Sequence, residues 1–134
     1  MKQGFTLVEL IMVILIIGIL AALALPQFSK TKEHAIGKEA IANLKLIAAA
    51  EKIYRMETNA YYPVPAGSES NITNINNYLK LSITETNWDF SVTDSGAPAP
   101  NAFTAYADRA TTGCQYTLAY DDADGEPNPN ASCP

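Results

Sequence analysis

One acid near the start, a cluster of acids near the end and a single pair of thiols are the side chains of this chain that could do chemistry. Glu9 is the one charge in an otherwise uncharged stretch running from Phe5 to Leu25. An ionised acid inside a membrane-length apolar helix costs about 2.5–3.5 kcal/mol on insertion scales, so it calls for a partner. Were the chain cut between Gly4 and Phe5, the new α-amino group of Phe5 would stand one helical turn from its own Glu9. That amine would also reach the Glu9 of a neighbouring copy, turning a buried charge into an ion pair between subunits and a mark of register. Downstream, Asp121, Asp122, Asp124 and Glu126 crowd into Asp121-Asp122-Ala123-Asp124-Gly125-Glu126. Its Asp-x-Asp-Gly fragment could converge on a hard cation such as calcium. It lacks the twelve-residue spacing of a full calcium loop, and a solvated acidic turn built on Asp-Gly is the competing reading.

Cys114 and Cys133 are the only cysteines. Behind an N-terminus of the exporting kind, two thiols point to a disulfide, because oxidising compartments favour pairing. Two thiols with no histidine nearby make a poor zinc site, and the single histidine, His34, reads as a solvated helix residue. No Ser/His/Asp or Cys/His arrangement, phosphate loop or pair of catalytic carboxylates stands out, so an enzyme is not expected. The formal net charge of −5 argues against binding a nucleic-acid backbone, which needs clustered Lys and Arg. Asn71-Ile72-Thr73 and Asn130-Ala131-Ser132 match the short N-glycosylation pattern, a weak signal.

These groups must be held by a small number of elements. Apart from Glu9, the first half of the helix, from Phe5 to Leu25, is apolar all round, which suits lipid or a bundle of like helices. Beyond Pro26 the pattern becomes amphipathic: Ile36, Ala40, Leu44, Ile47 and Tyr54 share one face, with Ile41 and Ala48 beside it. Lys38, Lys45, Lys52 and Arg55 are expected opposite. One helix from Phe5 to about Met56 follows, with a kink at Pro26 and soft points at Gly18 and Gly37. The stretch 58–67, with Asn59, Tyr61-Tyr62, Pro63, Pro65 and Gly67, reads as turn. A short helical turn is expected within Asn71–Leu81, using Ile75, Tyr78, Leu79 and Leu81. Three strands are then expected from alternation: Trp88, Phe90 and Val92; Phe103, Ala105 and Ala107 after a turn at Ser95-Gly96-Ala97-Pro98; and Cys114, Tyr116, Leu118 and Tyr120. The fold class is α+β, a long N-terminal helix whose amphipathic half packs on a small antiparallel sheet.

The leader Lys2-Gln3-Gly4, the Gly4/Phe5 junction, the run Phe5-Thr6-Leu7-Val8-Glu9-Leu10 and the later Pro26 resemble the class III signal of type IV pilins and type II secretion pseudopilins. An ordinary secretory signal would instead use the small residues of Ala21-Ala22-Leu23-Ala24, yet its apolar region has no use for a carboxylate at the start. The resemblance implies three parts: a leader over 1–4, a membrane-spanning and filament-core half-helix over 5–27, and a globular head over 28–134. It implies cleavage after Gly4 and N-methylation of Phe5 by prepilin peptidase. The precursor would sit in the bacterial inner membrane, and an assembly ATPase with a platform protein would build a homo-oligomeric filament at the cell surface. The expected function is a structural subunit of a type IV pilus; the alternative is the major pseudopilin of a type II secretion system. Pseudopilins of that kind carry calcium in their C-terminal loops, so the resemblance raises the calcium reading at Asp121, Asp122, Asp124 and Glu126 beside that of a solvated acidic turn.

Overall fold

The computed structural model describes residues 4–94, 102–122 and 125–133, without the side chains of 24–26. The first element is one helix, α1, Leu7–Thr58, unbroken through position 26. The expected kink at Pro26 falls on side chains outside the described ones. Two compact units divide the chain, Met1–Ala35 and Ile36–Pro134. In the first, every described side chain of the apolar run is exposed, including Leu7, Leu10, Ile14, Ile17 and Leu23. This helix alone is long and apolar enough among the described residues to cross a membrane.

In the second unit, the amphipathic stripe does what its spacing requires. Ile36 and Ala40, Leu44 and Ile47 are buried, and Tyr54 is half-buried. They close over a five-stranded antiparallel sheet in sequential order: β1 (Ser68–Glu69), β2 (Asp89–Asp94), β3 (Phe103–Arg109), β4 (Cys114–Ala119) and β5 (Asn128–Pro129). Register aligns the inward-facing residues. Phe90, Ala107 and Tyr116 lie in one row across β2, β3 and β4, and Val92, Ala105 and Leu118 in the next. All six are buried. The alternation survives from Phe90 to Leu118, as a sheet with one covered face demands, but Tyr120, expected to extend the third strand, lies past β4 and is exposed. The β1 and β5 strands are too short to carry an alternation of their own.

Helix α1 ends where Asn59 takes a left-handed conformation, φ 61°, with its N–H donating to the Arg55 carbonyl at 2.9 Å. The following Tyr61 and Tyr62 read as turn residues but are buried. Tyr61 fills the space beside Phe103, 5.0 Å between ring centres, and Tyr62 stacks on Tyr78 at 4.8 Å. Helix α2 (Ile72–Leu79) matches the expected turn and is capped at both ends. Asn71 accepts from the Thr73 and Asn74 amides, and Lys80 closes it in a left-handed conformation. Its Ile75 and Leu79 are buried.

Two expectations on α1 change. Gly37 is not a soft point: it is buried, and a Cβ there would stand 3.0 Å from the Tyr116 hydroxyl, so its missing side chain seats that ring. Arg55 does not lie on the solvent side with the lysines. Its guanidinium covers the Tyr61 ring at 4.9 Å and donates to the Tyr61 hydroxyl at 2.9 Å. Trp88, expected in the first strand, precedes β2 and donates its indole N–H to the Ile36 carbonyl of α1 at 2.8 Å, fixing helix to sheet. The expected turn at Ser95-Gly96-Ala97-Pro98 lies outside the described residues.

Candidate functional site: the N-terminal helix and the disulfide-closed loop

Thr6 stands immediately before the first residue of α1, and Glu9 is the third residue of the helix. This Thr-x-x-Glu spacing is a reciprocal cap, in which each side chain satisfies an amide that the helix leaves open. The Thr6 hydroxyl accepts from the Glu9 N–H at 3.3 Å, while the Thr6 N–H and hydroxyl donate to Glu9 Oε2 at 2.9 and 2.8 Å. Glu9 thus has a partner within its own chain. Among the described residues Glu9 Oε1 carries no hydrogen bond, so one oxygen of the carboxylate is left for a second donor. The sequence contained this signal, and reading Glu9 only as a charge in search of an amine overlooks it.

Phe5 is 86% exposed at the head of this cap. A Cβ on Gly4 would meet nothing within 4 Å. No packing among the described residues therefore calls for glycine at position 4. A requirement for it must come from something that approaches the backbone from outside.

The loop after β4 is closed by the Cys114–Cys133 disulfide, with 4.6 Å between Cα atoms. Cys114 is buried at the start of β4, and the bond ties Cys133 to that strand. Inside the ring it closes, Asp122 Oδ2 accepts from the Ala119 N–H at 2.7 Å and Oδ1 from the Asn128 side-chain amide at 3.2 Å. Gly125 adopts φ 64° and donates to the Asp122 carbonyl at 3.1 Å. Glu126 forms an ion pair with Lys45 of α1. Asp121 is exposed, and Asp124 lies outside the described residues. Among the described residues no three His, Cys, Asp or Glu side chains come together as a metal site would require. Asp122 is thus engaged in turn formation and Glu126 in an ion pair with α1.

Both glycosylation-pattern asparagines are already engaged. Asn71 is the cap of α2, and Asn130 donates to the Gly113 carbonyl at 2.9 Å and accepts from Ser132 N–H at 3.1 Å.

The residue that sequence reading missed altogether is Glu51. It is fully buried, the next position in the stripe after Ile47, and its Oε2 accepts from the Tyr62 N–H at 3.0 Å. Desolvation pushes its carboxyl up to about 7, against the pull of the Tyr62 hydrogen bond and aided by the nearby Asp94.

Comparison with known proteins places this geometry in context. Residues 1–25 match the family described as the prokaryotic N-terminal methylation motif. The chain is 46% identical over 60 residues to the type IV major pilin protein PilA of Myxococcus xanthus, covering 45% of this chain and 27% of that protein. It is 39% identical over 69 residues to the type II secretion system core protein G of Pseudomonas aeruginosa, covering 52% of this chain and 49% of that protein. It is 35% identical over 69 residues to the core protein G of Escherichia coli, covering 52% and 48%. The aligned stretch thus spans half or less of these relatives' own length. No solved structure gives a significant match. The chain thus carries a prokaryotic N-terminal methylation motif ahead of an α+β fold, and the relatives it matches are a type IV major pilin and type II secretion core proteins G.

Proposed function

We propose that this chain is the structural subunit of a type IV pilus, processed between Gly4 and Phe5 by prepilin peptidase and methylated at Phe5. As a precursor it sits in the inner membrane through residues 5–27. An assembly ATPase and platform protein then lift it into a helical filament of identical copies, whose heads form the cell-surface face of the pilus. Its role is structural, not catalytic.

The observation that carries this reading is Glu9. The apolar half of α1 has no cover within its own unit, and the lone carboxylate in it keeps Oε1 open while Thr6 occupies Oε2. The cap lowers the cost of holding a carboxylate in lipid before assembly. The open oxygen then accepts the Phe5 ammonium of a neighbouring copy, in surroundings where an unpaired charge is expensive. Similarity to core protein G over half of the chain supports a second reading, the major pseudopilin of a type II secretion system, which uses the same N-terminal chemistry.

Glu9→Gln separates cap from charge, because glutamine still accepts from the Thr6 amide. Intact mass should show a mature chain beginning at methylated Phe5 in the wild type and in the Glu9→Gln and Glu9→Ala variants. Sheared surface filaments should be lost in both variants. Full filament yield in Glu9→Gln would overturn the ion pair, and a mature chain starting after Ala22 or Ala24 would overturn the processing. Surface filaments containing the chain mark a pilus; their absence, with loss of secreted hydrolases on deletion, marks the pseudopilus.

A further inference from the structure

Glu51 occupies an unusual position for a carboxylate. It is 0% exposed, and its Oε1 has no hydrogen-bond partner among the described residues, while Oε2 holds the Tyr62 amide. A second acid, Asp94 at the end of β2, is also buried and lies close enough to repel it. Leaving a charged oxygen unsatisfied in an apolar core is among the costlier arrangements a fold can hold.

No cation relieves it among the described residues. Arg55, four residues on and well placed for a helical pair, is turned to Tyr61 and Tyr120 instead. Glu69 of β1 is occupied by the Asn71 amide at 2.8 Å and the Asn74 side chain at 2.9 Å, which hold it low. Tyr62 donates its hydroxyl to Glu69 at 3.2 Å and lies edge-on to Tyr54 and stacked on Tyr78. Phe103, which pairs with Asp94 from β3, is uncharged.

We propose that Glu51 is a proton-dependent latch between α1 and the Tyr62 backbone folded over it. In the closed head Glu51 keeps its proton. When Glu51 gives its proton to bulk water, a charge with an unsatisfied oxygen stands in the apolar core, and this part of the head loosens to admit solvent. Because the folded head holds Glu51 near 7 and the unfolded chain holds it near 4.5, the folded state binds the extra proton between those values. The latch is therefore fully closed below about pH 4.5, and its contribution is lost as pH rises through about 7.

The test is thermal unfolding of the full chain in detergent, followed through Trp88, at steps from pH 5 to pH 8. The melting temperature of Glu51→Gln minus that of the wild type should grow by at least about 5 °C across this range. A constant difference for Glu51→Gln would overturn the latch. Should Glu51→Gln fail to fold, the infrared band of a protonated carboxyl in the wild type decides. It should be present at pH 6 and gone by pH 9, and its absence at pH 6 overturns the proposal.

Discussion

Adding one methyl group at Gly37 tests whether the helix and sheet of the head are seated as described. Glycine inside a helix is about 0.8–1 kcal/mol less favourable than alanine, so propensity alone makes Gly37→Ala stabilising. The structure opposes this. The new Cβ would lie 3.0 Å from the Tyr116 hydroxyl and 3.8 Å from the ring carbon bearing it. Tyr116 cannot easily retreat, because its ring is buried and packs edge-on against Trp88 with 5.5 Å between centres. Overpacking of this kind costs about 1–3 kcal/mol, which outweighs the propensity gain. Gly37→Ala should therefore destabilise the head by up to about 2 kcal/mol, or roughly 4–8 °C per kcal/mol for a domain near this size. Removing the hydroxyl changes the sign. In a Tyr116→Phe background the nearest atom is the ring carbon at ordinary contact distance, and Gly37→Ala should then stabilise by about 1 kcal/mol. The assay is a double-mutant cycle by urea unfolding of the full chain in detergent, read through Trp88, the single tryptophan. A gain of about 1 kcal/mol in both backgrounds would mean that the ring shifts freely, and the account of Gly37 would be wrong.

Replacing Cys114 or Cys133 by serine should cost about 3 kcal/mol of head stability, from the entropy returned to the unfolded chain, and unfolding with and without reductant checks it. We propose that calcium, where it binds the Asp121–Glu126 loop, takes Glu126 from Lys45. Lys45→Ala should then enlarge the rise in melting temperature produced by millimolar calcium over chelator. No rise in either protein would leave the loop as an acidic turn.

The sequence by itself determined the elements whose signal is periodic and local. The apolar run and the stripe Ile36, Ala40, Leu44 and Ile47 specify α1. The alternations Phe90/Val92, Phe103/Ala105/Ala107 and Cys114/Tyr116/Leu118 specify the three central strands, since a one-residue slip would turn each apolar row to solvent. The lone Glu9 at the head of an apolar helix and the single pair of thiols were legible for the same reason. Each is conspicuous against its own neighbours.

Tertiary structure decided whatever depends on a residue distant in sequence. Gly37 has meaning only once Tyr116, on the other side of the core, points at it. Tyr61 and Tyr62 sit in turn-forming sequence, and only the space left beside Phe103 and Tyr78 draws them inward. The two-residue strands β1 and β5 exist because β2 and β4 offer open edges, not because their own residues prefer extension. Glu51 is the clearest case. Its spacing placed it on the buried stripe and its charge argued for solvent. The conflict was settled by the segment that folds over it, carrying the Tyr62 amide to its carboxyl. Burial is a property of what covers a residue, and that cover comes from chain far along the sequence.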